Sequence, residues 1–487
     1  MAGKIKSLAG DTIIYGGFTI VGRFLTFMLT PLYTNFLSVP ENGAVKEIFS
    51  ILAFINILFS FGMESAFFRF YSKDDISQSR KAFTLAFGFI FSLSLTATLL
   101  FIFNSNGIVK MFPSLKADPS SIRLVAFIPF LDALTMVPFA LLRLQRQARK
   151  FAYIRLFMII LAVALNFLFI VILKYGINGV FMAQALSSLA GAVYFLPTIR
   201  NYLLFKFDKK LFKEMLLFGL PTLPANFSAI ILQVGDRPIL KFLTNEANVG
   251  IYSVNYSLGI VMMLVVSVFD YAWKPFYLTN FTESDAKKTY ARVFTYFTLV
   301  CSFIFLISSL FLREIVKFPF IGGKFINPQY WTGLGIVPII LGAYYFNGVY
   351  LNFAAGFNIE KKTKYLAYTV GLASVINVIL NFLLIPIYGI WGAAWATFVA
   401  YFISAVLIFY YQRKVYPINY EWKRIISIIS LASLIYFPIY YISPAMGAIN
   451  GILLKLFGMI VFIMYLIISD FFDKDEKQKL ARLFKLK

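Results

Sequence analysis

Apolar runs of about 20 to 25 residues follow one another from near the start of this chain almost to its end, separated by short polar links. Each is long enough to cross a hydrocarbon core of roughly 30 Å as a helix. In hydrocarbon every backbone N–H and C=O must be satisfied within the protein, so runs of this length point to transmembrane helices. The expectation is an all-α integral membrane protein. Composition agrees: 60% of the 487 residues are hydrophobic and 14% are charged, against about a quarter charged in a soluble domain. The runs place spans at 9–36, 44–69, 80–104, 121–145, 151–174, 178–200, 211–240, 248–275, 287–312, 330–356, 363–385, 389–411, 423–443 and 447–469. That is about 14 transmembrane helices, with both termini on one side. The first run follows a basic start but has no short core with a small-residue cleavage site. It reads as a retained span rather than a signal peptide.

Charge gives the orientation. With the N-terminus inside, the cytoplasmic segments hold 33 of the 45 Lys and Arg residues, from Lys4 and Lys6 through "RLQRQARKFAYIR" and "KFDKKLFK" to the tail. The outer segments hold 9: Lys46, Lys110, Lys116, Arg123, Lys174, Lys241, Arg313, Lys317 and Lys324. Excess basic residues mark cytoplasmic loops, so both ends are expected in the cytoplasm. The net charge of +23 is then mainly a signal of topology. Basic residues spread over short loops give no nucleic-acid surface. No link exceeds about 20 residues, which leaves no soluble domain for a catalytic site.

The chain also repeats itself. "NFLFIVILKYGINGVFMAQ" (166–184) is answered by "NFLLIPIYGIWGAAWAT" (381–397), and 140–166 aligns with 355–381 at the same offset of 215. "ESAFFRFY" (64–71) is answered by "DYAWKPFY" (270–277), and "FLSVPENGAV" by "FLTNEANVGI". Two copies of a six-span unit follow: an N-lobe at 1–205 and a C-lobe at 206–412. Two appended helices occupy 413–470, and a cytoplasmic tail 471–487 is expected as an interfacial helix. Because each copy has an even number of spans, a pseudo-two-fold along the membrane normal should relate the lobes. Transporters built this way bind substrate between the halves and rock one against the other. In Tyr-Gly-Ile-x-Gly the glycines should break the chain between spans, and the small residues after them should allow close helix packing.

There is no histidine, and the single cysteine is Cys301. This removes disulfides within the chain, cysteine metal clusters and the commonest general base. No cofactor is expected. Any coupling to protons would fall to carboxylates, and sodium coupling stays open.

The stretches "GLPTLPANFSAIILQVGDRPILKFL", "VGIYSVNYSLG", "AWKPFY" and "NFLLIPIYGIWGAAWAT" resemble the polysaccharide-transporter branch of the multidrug/oligosaccharidyl-lipid/polysaccharide exporter (MOP) superfamily, the Wzx-type O-antigen flippases. The resemblance covers the whole chain. It implies alternating access in a bacterial inner membrane, turning an undecaprenyl-diphosphate-linked oligosaccharide from the inner to the outer leaflet. It also implies a cationic central cavity for the anionic head and, as partners, membrane lipids, a polysaccharide polymerase and glycosyltransferases. It carries no catalytic motif.

Charges inside spans cost roughly 2.5 to 3.5 kcal/mol at mid-bilayer, so they should face a cavity or a partner. Arg23 lies near the midplane of the first span and offers a planar donor fork suited to phosphate. The alternative for it is an ion pair, for example with Asp132. Asp132 sits between Pro129 and Pro138, and its counterpart by the repeat is Asn347. Both are cavity candidates, with helix–helix hydrogen bonding as the alternative. Arg237, beside Asp236, is a further cavity candidate whose other reading is structural. Gly219, Pro221 and Pro224 should bend the seventh span. Glu64 with Arg69, and Asp270 with Lys274, occupy matching cytoplasmic ends of spans two and eight. Cross-lobe pairs Glu64–Lys274 and Asp270–Arg69 could latch that side, and pairing within each helix is the alternative. Arg143, Arg146, Arg149 and Lys150 cluster at the cytoplasmic mouth, either to attract anionic lipid or to capture diphosphate. Competing readings are a lipid II flippase, a drug/cation antiporter, for which Arg23 has the wrong sign, and a membrane-embedded polymerase or ligase, which would want a longer outer loop.

Overall fold

The computed structural model of this chain describes residues 16–109, 119–204, 206–469 and 471. Lys4, Lys6, the first residues of the expected first span, Lys110, Lys116 and the expected tail helix after 471 lie outside the described residues.

The chain forms a bundle of long helices. They are α1 (16–27, continuing as Leu29–Phe36), α2 (Val39–Ser60, continuing as Met63–Phe70), α3 (Ile76–Phe103), α4 (Pro119–Leu144), α5 (Ala148–Asn166, with a π-helical end Phe167–Ile172) and α6 (Gly176–Tyr202). A second set follows: α7 (Lys209–Gly219, Leu223–Val234 and Asp236–Leu243), α8 (Glu246–Leu258 and Ile260–Asn280), α9 (Ala286–Leu310), α10 (Pro328–Ile336 as 3-10 helix, then Val337–Ile359), α11 (Lys364–Tyr388) and α12 (Ile390–Val415). The last two are α13 (Trp422–Ile442) and α14 (Ala448–Ile468). Among the described residues 13 helices are long and apolar enough to span a membrane. The remaining long element is α1, which reaches the edge of the described residues. A two-stranded hairpin, β1 (Pro319–Phe320) and β2 (Gly323–Lys324), lies in the link from α9 to α10.

Local sequence explains the breaks. Ser38 opens α2 with a capping box, in which Glu41 accepts from the Ser38 backbone N–H at 2.9 Å. Asn245 opens α8, the matching helix of the second copy, by accepting from the Asn248 N–H at 2.9 Å. Asp75 and Asp208 cap α3 and α7 in the same way. The two copies of Tyr-Gly-Ile-x-Gly act alike. Gly176 and Gly389 turn the chain at φ of 55° and 54°, a region a Cβ disfavours, and α6 and α12 start from those turns.

Two apolar clusters hold α1–α6 together, one around Phe67, Phe83 and Phe195 and one around Leu32, Ile48 and Phe181. The second set packs around Phe294, Phe353 and Phe357, with α10 against α12 and α11 against α12 as α4 and α5 pack on α6. α13 and α14 lie on α9, joined by Ile428, Phe462 and Leu306. The result is two six-helix lobes with two appended helices.

The lobes meet along α2, α7, α8 and α1. α2 packs on the first half of α8, α7 runs beside α2, and α1 runs beside α8. The boundary expected near 205 does not coincide with the packing. The first segment of α7 lies on the N-lobe: Met215 is fully buried in that lobe's core, and Asp208 pairs with Lys81 at 3.8 Å. Only after the break at Leu220–Thr222 does α7 pack on α11 of the C-lobe. Gly219, Pro221 and Pro224 remove the regularity that would carry the helix straight on.

Candidate functional site

The end of the bundle that carries Arg146, Arg149 and Lys150 is the basic end. A cavity of about 560 Å³ opens inside the N-lobe between α1, α2, α4, α5 and α6. Its lining runs from Asp132 and Gln184 at mid-helix to Glu64 and Arg143 near the basic end. A second cavity, of about 600 Å³, lies between α1, α2, α5 and α8, where the two lobes face each other, and includes Arg23 and Lys46. Thr26, Phe151, Arg155 and Ile159 line both. The two spaces adjoin, and Arg155 stands at their junction.

Among the described residues four basic side chains line the joined space: Arg23, Lys46, Arg143 and Arg155. Arg23 donates to the Ser267 hydroxyl of α8 at 2.6 Å, tying α1 to the other lobe. The ion pair with Asp132 considered from sequence is not formed. Asp132 instead accepts from the Ser188 hydroxyl at 2.6 Å and acts electrostatically on Arg155. The Arg155 guanidinium lies 4.9 Å from the Phe139 ring centre, a cation–π contact that orients it. The Lys46 ammonium lies 5.4 Å from the centre of the Tyr33 ring, and Tyr33 is fixed by donating to Asn166 at 2.8 Å. Arg143 pairs with Glu64 and lies 4.9 Å from the Phe68 ring centre. With Glu64 neutralising Arg143 and Asp132 opposing Arg155, the joined space keeps an excess of positive charge.

Several sequence candidates lie elsewhere. Arg237 is 9% exposed and buried inside the C-lobe. It bonds Asp236 at 2.9 Å and the Gln233 carbonyl at 2.8 Å, and it stacks on Tyr256. Tyr252 holds the other Asp236 oxygen. This guanidinium is committed to groups of its own lobe and lines neither cavity. Asn347 is half-buried on α10 and lines neither cavity. The cross-lobe latch pairs are not formed: Glu64 is taken by Arg143 in its own lobe, and Asp270 by Lys274 one turn away at 3.0 Å. Arg69 is exposed. Arg146 is exposed on the link from α4 to α5, which it turns with φ of 56°, and Arg149 and Lys150 are exposed in the first turn of α5. Of this cluster only Arg143 reaches the cavity.

Sequence reading missed Arg155 and Lys46, counting both as loop charges. Arg155 lies seven residues beyond Ala148, where α5 starts, about two turns from the helix end. Setting the start of α5 at Ala148 would have exposed it. Among the described residues no three His, Cys, Asp or Glu side chains gather as a metal site.

The C-lobe presents a different surface. A groove of about 590 Å³ between α8, α9, α10, α12 and α13 is lined by Trp391, Trp395, Phe398, Tyr436 and Tyr440. The charged hollow and the aromatic groove thus sit in and beside different lobes, although the lobes share one architecture.

A family profile described as "Polysaccharide biosynthesis protein" matches residues 8–281. An uncharacterized membrane protein of Methanocaldococcus jannaschii is 25% identical over 274 residues, 54% of this chain and 51% of that protein, so the match spans about half the relative's length. A solved structure of the lipid II flippase MurJ in an inward closed conformation matches with a TM-score of 0.75 at 16% identity, covering 93% of this chain and 99% of that one. An inward-facing multidrug resistance transporter of the MATE family, in the MOP superfamily, matches with a TM-score of 0.60 at 15% identity, covering 80% and 94%. At such identities the likeness shows the fold, which this chain shares with that flippase and that exporter.

Proposed function

This chain belongs to the polysaccharide biosynthesis protein family, and on that premise we propose that it is an alternating-access flippase for a polyprenyl-diphosphate-linked saccharide. The observation that carries the reading is the convergence of Arg23, Lys46, Arg143 and Arg155 on one hollow beside the lobe seam. A diphosphate crossing the bilayer must leave water, and the cost falls when fixed cations replace its hydration. Arg155 at the junction offers two parallel N–H donors to one phosphate. Arg23, bound to Ser267 of the C-lobe, supplies a second guanidinium attached to both halves, so cargo charge and lobe position act on the same residue. Asp132 serves as a resident counter-anion that keeps the empty hollow from carrying its full positive charge. The basic end faces the cytoplasm on the positive-inside rule, which puts Arg143, Arg146, Arg149 and Lys150 at the entrance. The aromatic groove of the C-lobe accommodates the apolar chain.

The cargo within this class is a lipid II-type head or the O-antigen unit of a Wzx-type flippase. The TM-score of 0.75 to a lipid II flippase, against 0.60 to the drug exporter, supports the lipid II-type reading. A cationic drug finds the wrong sign of charge in this hollow. Partner enzymes that build and polymerise the saccharide belong to the same reading.

The test is reconstitution of the full chain in liposomes carrying a fluorescent polyprenyl-diphosphate saccharide, followed by a membrane-impermeant quencher. Expected is transbilayer movement that exchanging Arg155 for Ala lowers about tenfold, the equivalent of about 1.4 kcal/mol. Movement of a neutral polyprenyl saccharide at the same rate as the diphosphate would overturn the proposal. Running a lipid II-type and an O-antigen-type saccharide diphosphate in parallel decides between the two cargoes.

A further inference from the structure

At the end of the bundle opposite the basic end, the lobes touch with almost no space between backbones. Gly43 of α2 and Gly250 of α8 face each other there, and a Cβ on either would overlap the other helix's backbone carbonyls. One turn along each helix from these glycines stand two carboxylates, Glu47 on α2 and Glu246 on α8. Between them comes the ammonium of Lys241, from the last turn of α7. It lies 3.3 Å from the Glu47 carboxylate and 3.6 Å from that of Glu246, and Glu47 is 4% exposed. Glu47 belongs to the N-lobe, whereas Lys241 and Glu246 are five residues apart on the α7–α8 corner of the C-lobe. Two neutral contacts flank the triad: Asn42 donates to the Tyr330 hydroxyl at 3.2 Å, and Asn35 donates to the Lys324 carbonyl of the hairpin at 2.6 Å.

We propose that Glu47, Lys241 and Glu246 form an ionic latch that holds this end shut and is built to release. The asymmetry of the triad is the reason. When the lobes part, Lys241 stays with Glu246 on its own corner, so no ammonium is stranded in an apolar seam. Glu47 alone loses its partner, and it does so only as water enters to solvate it. Breaking a buried ion pair is costly when one charge is left bare and buried. Here the C-lobe carries a spare anion that removes half of that penalty. The latch therefore favours closure without forbidding opening, as an alternating-access cycle needs. The proposal rests on the alternating-access reading, not on the identity of the cargo.

The experiment reads lobe opening without cargo. Ser253 is buried on the face of α8 that also carries Gly250 and Ser257. The full chain with Ser253→Cys and Cys301→Ala is placed in membrane vesicles and labelled with a membrane-impermeant maleimide from the side opposite the basic end. Glu47→Gln and Lys241→Gln are expected to raise the labelling rate about three- to tenfold. Glu246→Gln leaves the interlobe pair in place but strands the Lys241 ammonium when the lobes part, and is expected to lower the labelling rate below that of the parent. The exchange Glu47→Lys with Lys241→Glu restores an interlobe pair of opposite charges and is expected to return labelling toward the parent rate, well below that of Glu47→Lys alone. This guards against a single variant that fails to fold. Parent-rate labelling in both neutral variants, or an exchange variant labelled as fast as Glu47→Lys alone, overturns the latch. A liposome assay without transport would overturn the flippase reading and leave this result standing.

Discussion

Arg155 projects from α5 into the junction of two cavities, with Phe139 beneath it and Asp132 across from it. Its chemistry makes two predictions at the scale of single residues. A lysine in its place keeps the charge but loses the planar pair of donors. Arg155→Lys is therefore expected to keep only part of the transport rate, between the parent and Arg155→Ala, in the liposome assay. Asp132→Asn removes the counter-anion while keeping a group able to accept from Ser188. It is expected to tighten binding of an anionic saccharide diphosphate severalfold and to slow its release, as read by equilibrium binding and by single-turnover flipping. At this scale the sequence was legible in part. Arg23 and Asp132 were found because a charge in the middle of an apolar run needs a reason. Arg155 and Lys46 were not, because a charge within two turns of a helix end looks the same in sequence whether it reaches water or a cavity. Arg237 stayed open between a cavity and a structural reading for the converse reason: adjacency to Asp236 in sequence did not tell whether the pair faced a hollow or, as it does, Tyr252 and Tyr256 in a core.

The elements that matter most are those shared between lobes. α7 starts on the N-lobe, breaks at Leu220–Thr222 and finishes on the C-lobe. A lobe movement must therefore either bend it at that break or drag its first segment. The sequence marked the break through Gly219, Pro221 and Pro224. It could not tell which lobe each half would join, since Met215 is as apolar as its alternatives. The crossing of α2 and α8 is set by Gly43 and Gly250. Gly43→Ala is expected to force those helices apart, at an overpacking cost of about 1–3 kcal/mol. Lower thermal stability of the solubilised protein, together with faster labelling at Ser253→Cys, checks this. The two Tyr-Gly-Ile turns behave alike because a glycine at φ near 55° is a local requirement. Local requirements are what a repeat preserves.

For the whole molecule, the decisive property is that two lobes of one architecture carry unlike interiors. α13 and α14 extend one side only, with α14 fastened through Lys455 to Glu314 at 2.8 Å. Orientation is tested at this scale: Gly447→Cys, opposite the basic end, is expected to react with an impermeant thiol reagent from outside intact cells, and Glu360→Cys only after lysis. The reverse pattern would invert the assignment of entrance and exit. Long apolar runs, charge bias and the repeated motifs settled the helical class, the membrane and the duplicated plan from sequence alone. Those properties depend on hydropathy summed over about 20 residues and on turn chemistry, both local. Which charges face the hollow, which are neutralised in the core, and which pair closes the seam were decided only by the packed structure. Each of these depends on the rotation of one helix against another, and side chains brought together from α2, α7 and α8 leave no pattern along the chain.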